Sequence, residues 1–184
     1  TSAFLMKHYP ANINIFSLVR VEDKNNLWMK GKDEKTRQLV SDKIGKEFIG
    51  TVEMDDIIYT ILDLEQHTGQ GVNWVSGDTF EQVIKNHSNY LPNKMARFCT
   101  TDMKIIPIFN FLNENTELPV RMRIGLRPTE KNRMANILER AAENGLEHFT
   151  TIIGKSKKGK NNKWSDVQYR YAEFPMIEDN MQKD

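Results

Sequence analysis

The stretch "RFCTTDMK", Arg97 to Lys104, holds the chain's only cysteine between two cations, with two threonines and an aspartate alongside. Four chemistries fit those residue types: a nucleophilic thiolate, a metal ligand, a redox sensor, or a thiol that merely lines an anion-binding turn. A cysteine at a helix start beside Arg97 and Lys104 is expected to have a lowered pKa and some thiolate character. Metal ligation is disfavoured: no second cysteine exists, and His8, His67, His87 and His148 are scattered without ligand spacing, so a single chain is not expected to hold an iron–sulfur cluster. A nucleophilic role is disfavoured for want of a nearby histidine to act as base.

A second basic cluster reads "GLRPTEKNR", Gly125 to Arg133. Gly125 lets the backbone turn sharply, Pro128 suits a first helical turn, and Arg127 and Arg133 offer forked donors for phosphate. Glu130 would hold one arginine in place or reach a ribose hydroxyl. Taken alone, such a turn is more often a capped helix start with solvated charges.

Both clusters need elements to position them. Met54, Ile57, Ile58, Ile61 and Leu62 recur at the spacing of one helix face, and so do Met134, Ile137, Leu138, Ala141 and Ala142. Further helices are expected over Thr1–His8, over Glu34–Lys46 behind the cap Asp33, over Asp78–Asn86 and over Thr101–Asn113. In the last of these, Thr100 or Thr101 would cap, Asp102 would favour the positive end of the helix dipole, and Pro107 would kink or restart the helix. Short β-branched runs at Asn12–Val19, Glu47–Val52, Val72–Val75, Val120–Gly125 and His148–Ile153 read as strands. The alternation predicts an α/β fold, a Rossmann-like and mainly parallel sheet with helices on both faces and Val120–Gly125 inside the sheet. Ligands of such sheets gather beyond the carboxyl ends of the strands. The two basic turns are therefore expected on one rim.

With 184 residues, 39% hydrophobic and 28% charged, the chain is long enough for one good core. It has no apolar run long enough to cross a bilayer, and a cytoplasmic location is expected. A net charge of +1 gives no global case for nucleic-acid binding. "KSKKGKNNK", Lys155 to Lys163, reads first as a solvated connection; contact with nucleic-acid phosphates is not favoured, because the run lacks interleaved aromatics. Trp28, Trp74 and Trp164 are expected to pack, and Asp55 and Asp56 to open a helix.

Taken together, "LPNKMARFCTTDMKIIPIFNFL" and "VRMRIGLRPTEKNR" resemble the paired signature of the phosphoadenosine phosphosulfate (PAPS) reductase family, within the adenine-nucleotide alpha hydrolases. The matching positions are Arg97, Cys99, Thr100, Lys104, Pro107, Gly125, Arg127, Glu130 and Arg133. "TSAFLMKH" resembles the segment just after the family's Ser-Gly-Gly phosphate loop, and "FPMIEDN" a later family segment ending in a strand. The resemblance implies an adenine-nucleotide domain over residues 1–153, N-terminally truncated, with Thr1 and Ser2 as the last residues of the phosphate loop. A basic loop and C-terminal extension over 154–184 would pack on the same domain. It implies ATP or PAPS as ligand, Mg²⁺ with ATP, and a nucleotide pocket lined by Thr1, Ser2, Arg97, Cys99, Thr100, Lys104, Gly125, Arg127, Glu130 and Arg133. Cys99 would then line the pocket or simply pack.

Two departures bear on chemistry. "VRVEDKNN", Val19 to Asn26, stands where many relatives carry a Thr-Gly-Glu-like turn. The family's catalytic cysteine near the C-terminus has no counterpart after Cys99, so thiol-based sulfite release of the usual kind is not expected. Two function classes remain open: an enzyme acting at nucleotide phosphates, by ATP α–β cleavage and adenylation or by sulfonucleotide handling; or an inactive relative serving a larger homo- or hetero-oligomeric assembly.

Overall fold

The computed structural model describes residues 6–22, 33–93, 95–155 and 161–179. Thr1, Ser2, Trp28 and the second half of "VRVEDKNN", residues 23–26, lie outside them, as do the first five residues of the expected opening helix; residues 6–8 are helical. The chain divides into two compact units, Ser2–Phe111 and Leu112–Asp184.

In the first unit, β1 (Ile15–Ser17) and β2 (Asn73–Val75) pair in parallel, with Phe16 opposite Trp74. The Leu18 N–H extends the ladder to the Val75 carbonyl at 2.9 Å. Three helices surround the pair. α1 (Glu34–Ile44) starts at Asp33, whose carboxylate accepts from the Thr36 N–H, as expected of that cap. α2 (Asp56–Thr68) ends at Gly69, where φ is +66° and a side chain would be strained. α3 (Phe80–Asn86) opens on a capping box in which Thr79 and Gln82 exchange hydrogen bonds. Leu18, Val40, Phe48, Ile58 and Trp74 are buried together, with Phe16, Tyr59, Ile61 and Leu62 packed against them. The apolar stripe of α2 is narrower than its spacing predicts, because Met54 and Ile57 remain exposed.

Glu47–Val52, expected as a strand, is irregular chain. Side chains meet its first two residues: Ser41 Oγ accepts from the Phe48 N–H at 3.0 Å, and an Arg20 Nη donates to the Glu47 carbonyl at 3.3 Å. The Val21 N–H donates to the Gly50 carbonyl at 3.2 Å.

α4 (Phe98–Thr100) runs through a π turn (Thr101–Ile105) into α5 (Ile106–Asn115). The second unit then contains β3 (Val120–Arg123), a 3₁₀ turn (Pro128–Glu130), α6 (Lys131–Arg140), β4 (Leu146–Lys155), β5 (Asn162–Glu173) and α7 (Pro175–Glu178). Its sheet has the order β3-β5-β4, parallel between β3 and β5 and antiparallel between β4 and β5. Leu126, Ile137 and Phe174 form its core, joined by Ile124, Met134, Ala172 and Ile177.

A mixed α/β fold with parallel pairing is thus present in both units. The expected interior position of Val120–Gly125 is corrected: among the described residues β3 is an edge strand with an alternating burial pattern, and β5 is the central one. β5 was not expected at all. Its outward positions carry Asp166 and Gln168, and polar residues interrupt the β-branched run that would announce a strand.

Candidate functional site

A cluster of polar groups lies just beyond the carboxyl ends of β1 and β2. Pro107 has no N–H, so the α-helical bond to the carbonyl of Met103, four residues earlier, cannot form. The helix widens instead, the Ile106 N–H reaching back to Thr101 O. The buried Ser17 hydroxyl, at the end of β1, donates to the Met103 carbonyl at 3.0 Å. Gly77, just beyond β2, lies so close to this turn that a Cβ there would stand 2.8 Å from both Asp102 O and Pro107 Cγ. Arg20 ties the two strand exits together, donating from Nε to Ser76 Oγ at 2.8 Å and from an Nη to Gly77 O at 2.9 Å. Burial lowers the Arg20 guanidinium pKa from its ordinary value, opposed by Asp78 and Glu22. Glu22 in turn accepts from Thr79 Oγ1 at 3.0 Å.

The segment Arg97–Lys104 joins this cluster. Its helix begins at Phe98 with Arg97 in the cap position and no side-chain capping bond, so neither Thr100 nor Thr101 caps; both lie within helical backbone. Asp102, expected to serve the helix dipole, accepts from His87 Nε2 at 2.8 Å, and the His87 ring stacks on Phe98 with centroids 3.9 Å apart. Lys104, expected on phosphate, is ion-paired with Glu53. Cys99 is half-buried and packs against the cluster of Val19, Val83 and Met103. Arg97 is exposed and makes no ion pair among the described residues.

The second unit holds the other turn. Glu130 Oε2 accepts from the Arg127 N–H at 3.0 Å and lies 3.4 Å from Arg127 Nε, while Oε1 accepts from an Arg133 Nη at 3.2 Å. One carboxylate therefore holds two exposed guanidinium groups, where one was expected. The bond from the Arg127 N–H keeps the Glu130 carboxyl below its ordinary pKa, burial opposing and the two arginine side chains adding to it. Pro128 occupies the first turn as anticipated. The chain does turn sharply at Gly125, the Leu126 N–H donating to the Ile124 carbonyl at 2.8 Å, but it does so without a left-handed φ, and a Cβ there would meet open space. Each guanidinium carries five donors and the carboxylate engages only part of them, so this turn offers an anion forked donors at the exit of β3.

The expected pocket residues thus divide. Arg127, Glu130 and Arg133 come together in Leu112–Asp184, whereas Arg97, Cys99, Thr100 and Lys104 belong to Ser2–Phe111. His87, Glu53 and Arg20 were not foreseen, and no local spacing announces them: His87 and Asp102 are 15 residues apart, Lys104 and Glu53 51. Among the described residues no group of three or more His, Cys, Asp or Glu side chains is gathered for a metal ion, and no helix is long and apolar enough to cross a membrane.

No protein family matches the chain, and no solved structure matches it. Over 106 residues it is 28% identical to an uncharacterized protein of Methanocaldococcus jannaschii, which covers 54% of this chain and 22% of that protein. The match spans about a fifth of that relative's length.

Proposed function

We propose that the chain binds an adenine nucleotide, ATP or PAPS, and acts at its phosphates, in keeping with its resemblance to the PAPS reductases and their Rossmann-like fold. The observation that carries this reading is the Arg127–Glu130–Arg133 turn. Two guanidinium groups fixed by a shared carboxylate have lost much of their rotamer freedom before any ligand arrives, so less is lost when they meet phosphate. Such donors suit phosphate oxygens and not a cation; Mg²⁺ would arrive on the nucleotide's own phosphates. In catalysis the arginines would orient the phosphates and offset charge that develops there.

One observation favours the second reading, an inactive relative that binds within a larger assembly. Lys104, another of the pocket residues implied by the resemblance, is engaged by Glu53. To serve a nucleotide it must give up that partner.

Calorimetric titration with ATP and with PAPS tests both readings. Binding that weakens on Arg127→Ala by about 1.5 to 3 kcal/mol, the worth of a hydrogen bond to a charged group, supports the first. Binding without pyrophosphate release or sulfonucleotide turnover supports the second. No binding of either nucleotide refutes the adenine-nucleotide reading.

A further inference from the structure

β3 lies at the edge of the second unit's sheet, with β5 as its one strand neighbour among the described residues. The Ile124 N–H donates to the Glu173 carbonyl at 2.9 Å. Backbone groups alternate in direction along a strand, so those of Met122 point to β5 while those of Arg121 and Arg123 point to the open edge. Side chains alternate as well: Val120 and Met122 are half-buried, whereas Arg121 and Arg123 are exposed on the other side of the sheet. Glu173, in register with Arg123, meets both guanidinium groups, Oε1 accepting from an Arg121 Nη at 3.0 Å and Oε2 lying 3.4 Å from Arg123 Nε. The Arg121 side chain is nonetheless 81% exposed. Two arginines on one carboxylate leave a net positive charge and donors to spare.

Charge collects on the same stretch. From Val120 to Arg133 the sequence has five cations, Arg121, Arg123, Arg127, Lys131 and Arg133, against one carboxylate, Glu130, and all five cations are exposed. Cations along a sheet edge discourage chance pairing, because a neutral strand strips water from them and a basic one is repelled. An acidic strand reverses the sign. Its carboxylates opposite Arg121 and Arg123 form favourable cross-strand pairs, and its backbone meets the groups that point outward from β3. A chain of phosphates satisfies the cations but offers the outward carbonyls no donor.

We propose that the open edge of β3 takes an extended acidic segment of a partner protein as an added strand, with carboxylates at alternate positions over Arg121 and Arg123 and apolar side chains between them over Val120 and Met122. Main-chain hydrogen bonds supply affinity, and the alternation of arginine with half-buried apolar residues selects the sequence. The surplus of positive charge draws the segment in. This strand site needs no nucleotide at the Arg127–Glu130–Arg133 turn.

Fluorescence anisotropy of the full chain with a labelled peptide of alternating glutamate and valine tests this. Three comparison ligands separate charge from strand pairing: the same peptide N-methylated along its backbone, which keeps the charge and removes the main-chain donors; a peptide of alternating lysine and valine; and an oligothymidine of equal charge. Expected are binding of the acidic peptide in preference to all three, with N-methylation weakening it by about tenfold or more as several hydrogen bonds are lost. Arg121→Glu should weaken the acidic peptide by about tenfold or more, the loss of a hydrogen bond between charged groups. Far-UV circular dichroism separates that loss from unfolding; if Arg121→Glu does not fold, the contrast between the plain and N-methylated peptides on the wild-type chain decides. Absence of binding, equal binding of the N-methylated peptide, tighter binding of the oligothymidine, or undiminished affinity of a folded Arg121→Glu would overturn the proposal.

Discussion

Along the π turn after α4 the charges are taken up by distant residues, Lys104 by Glu53 and Asp102 by His87, while the nearby Arg20 donates to the Ser76 hydroxyl and to the Gly77 and Glu47 carbonyls; Arg97, at the start of α4, is exposed without an ion pair among the described residues. At the start of α6 a single carboxylate holds two arginines at the surface and leaves donors over. The residue types are nearly the same and the consequences differ. In the first case the partners lie on distant parts of the chain, so the charges cross-link the fold. In the second they lie within one helical turn, so the fold needs little from them and they remain available to a ligand. Local pairing at i, i+3 thus leaves a basic turn open for binding, while long-range pairing turns it into scaffold.

The sharpest way to break this comparison is to disturb the scaffold directly. Gly77→Ala would drive a Cβ into a backbone carbonyl and a proline ring, neither of which can swing aside. A loss of about 1 to 3 kcal/mol in urea unfolding is expected. Ser17→Ala should cost about 1 to 2 kcal/mol, since the buried Met103 carbonyl loses its hydroxyl donor at a place where Pro107 supplies none. If both variants unfold with the wild type, the widened turn is not held by its neighbours and the contrast with α6 fails.

Smaller effects should separate the cations. Lys104→Ala strands a half-buried Glu53 and should destabilise by about 0.5 to 1 kcal/mol. Arg127→Ala, at an exposed position, should change stability by less than about 0.5 kcal/mol while lowering nucleotide affinity. A reversal, with Arg127 needed for stability and Lys104 for nucleotide, would exchange the roles assigned to the two turns.

Legibility in the sequence obeys the same division between local and distant. α2 and α6 come from apolar periodicity, α1 and α3 from helix start and stop signals, and Asp33 and Pro128 mark two starts correctly because a cap acts within one turn. The Arg127–Glu130–Arg133 grouping is legible for the same reason. β5 is not, since a strand inside a small sheet needs no continuous apolar run when one side stays wet. The contacts of Glu47–Val52 with Ser41 and Arg20, and of Lys104 with Glu53, join residues that no spacing rule connects. Trp164, expected to pack, stands out from a ribbon whose register only the fold defines.

The smallest predicted effect tests whether the Glu130 clamp is a fixed arrangement or merely solvated charge. Its folded carboxyl titrates below the ordinary glutamate value of about 4.3, because the Arg127 N–H and two guanidinium groups favour the ionised form. The unfolded chain therefore takes up this proton at a higher pH than the folded one, and the folded state is favoured while both forms are ionised. The contribution is complete above about pH 5 and is lost as the pH falls through the folded value. Asp33 in the other unit shifts in the same direction, chiefly through its bond from the Thr36 hydroxyl, so the acid limb of the wild-type stability profile contains both groups. Glu130→Gln should remove one of the two: unfolding free energy measured from pH 6 downward should fall less steeply than in wild type, and the two curves should converge at the acid end. Asp33→Asn should flatten the limb independently, and the double variant should show the sum, since the two sites share no partner. A Glu130→Gln profile parallel to wild type throughout would mean that the carboxylate does not hold its arginines in solution, and the α6 turn would lose the preorganisation that distinguishes it from the start of α4.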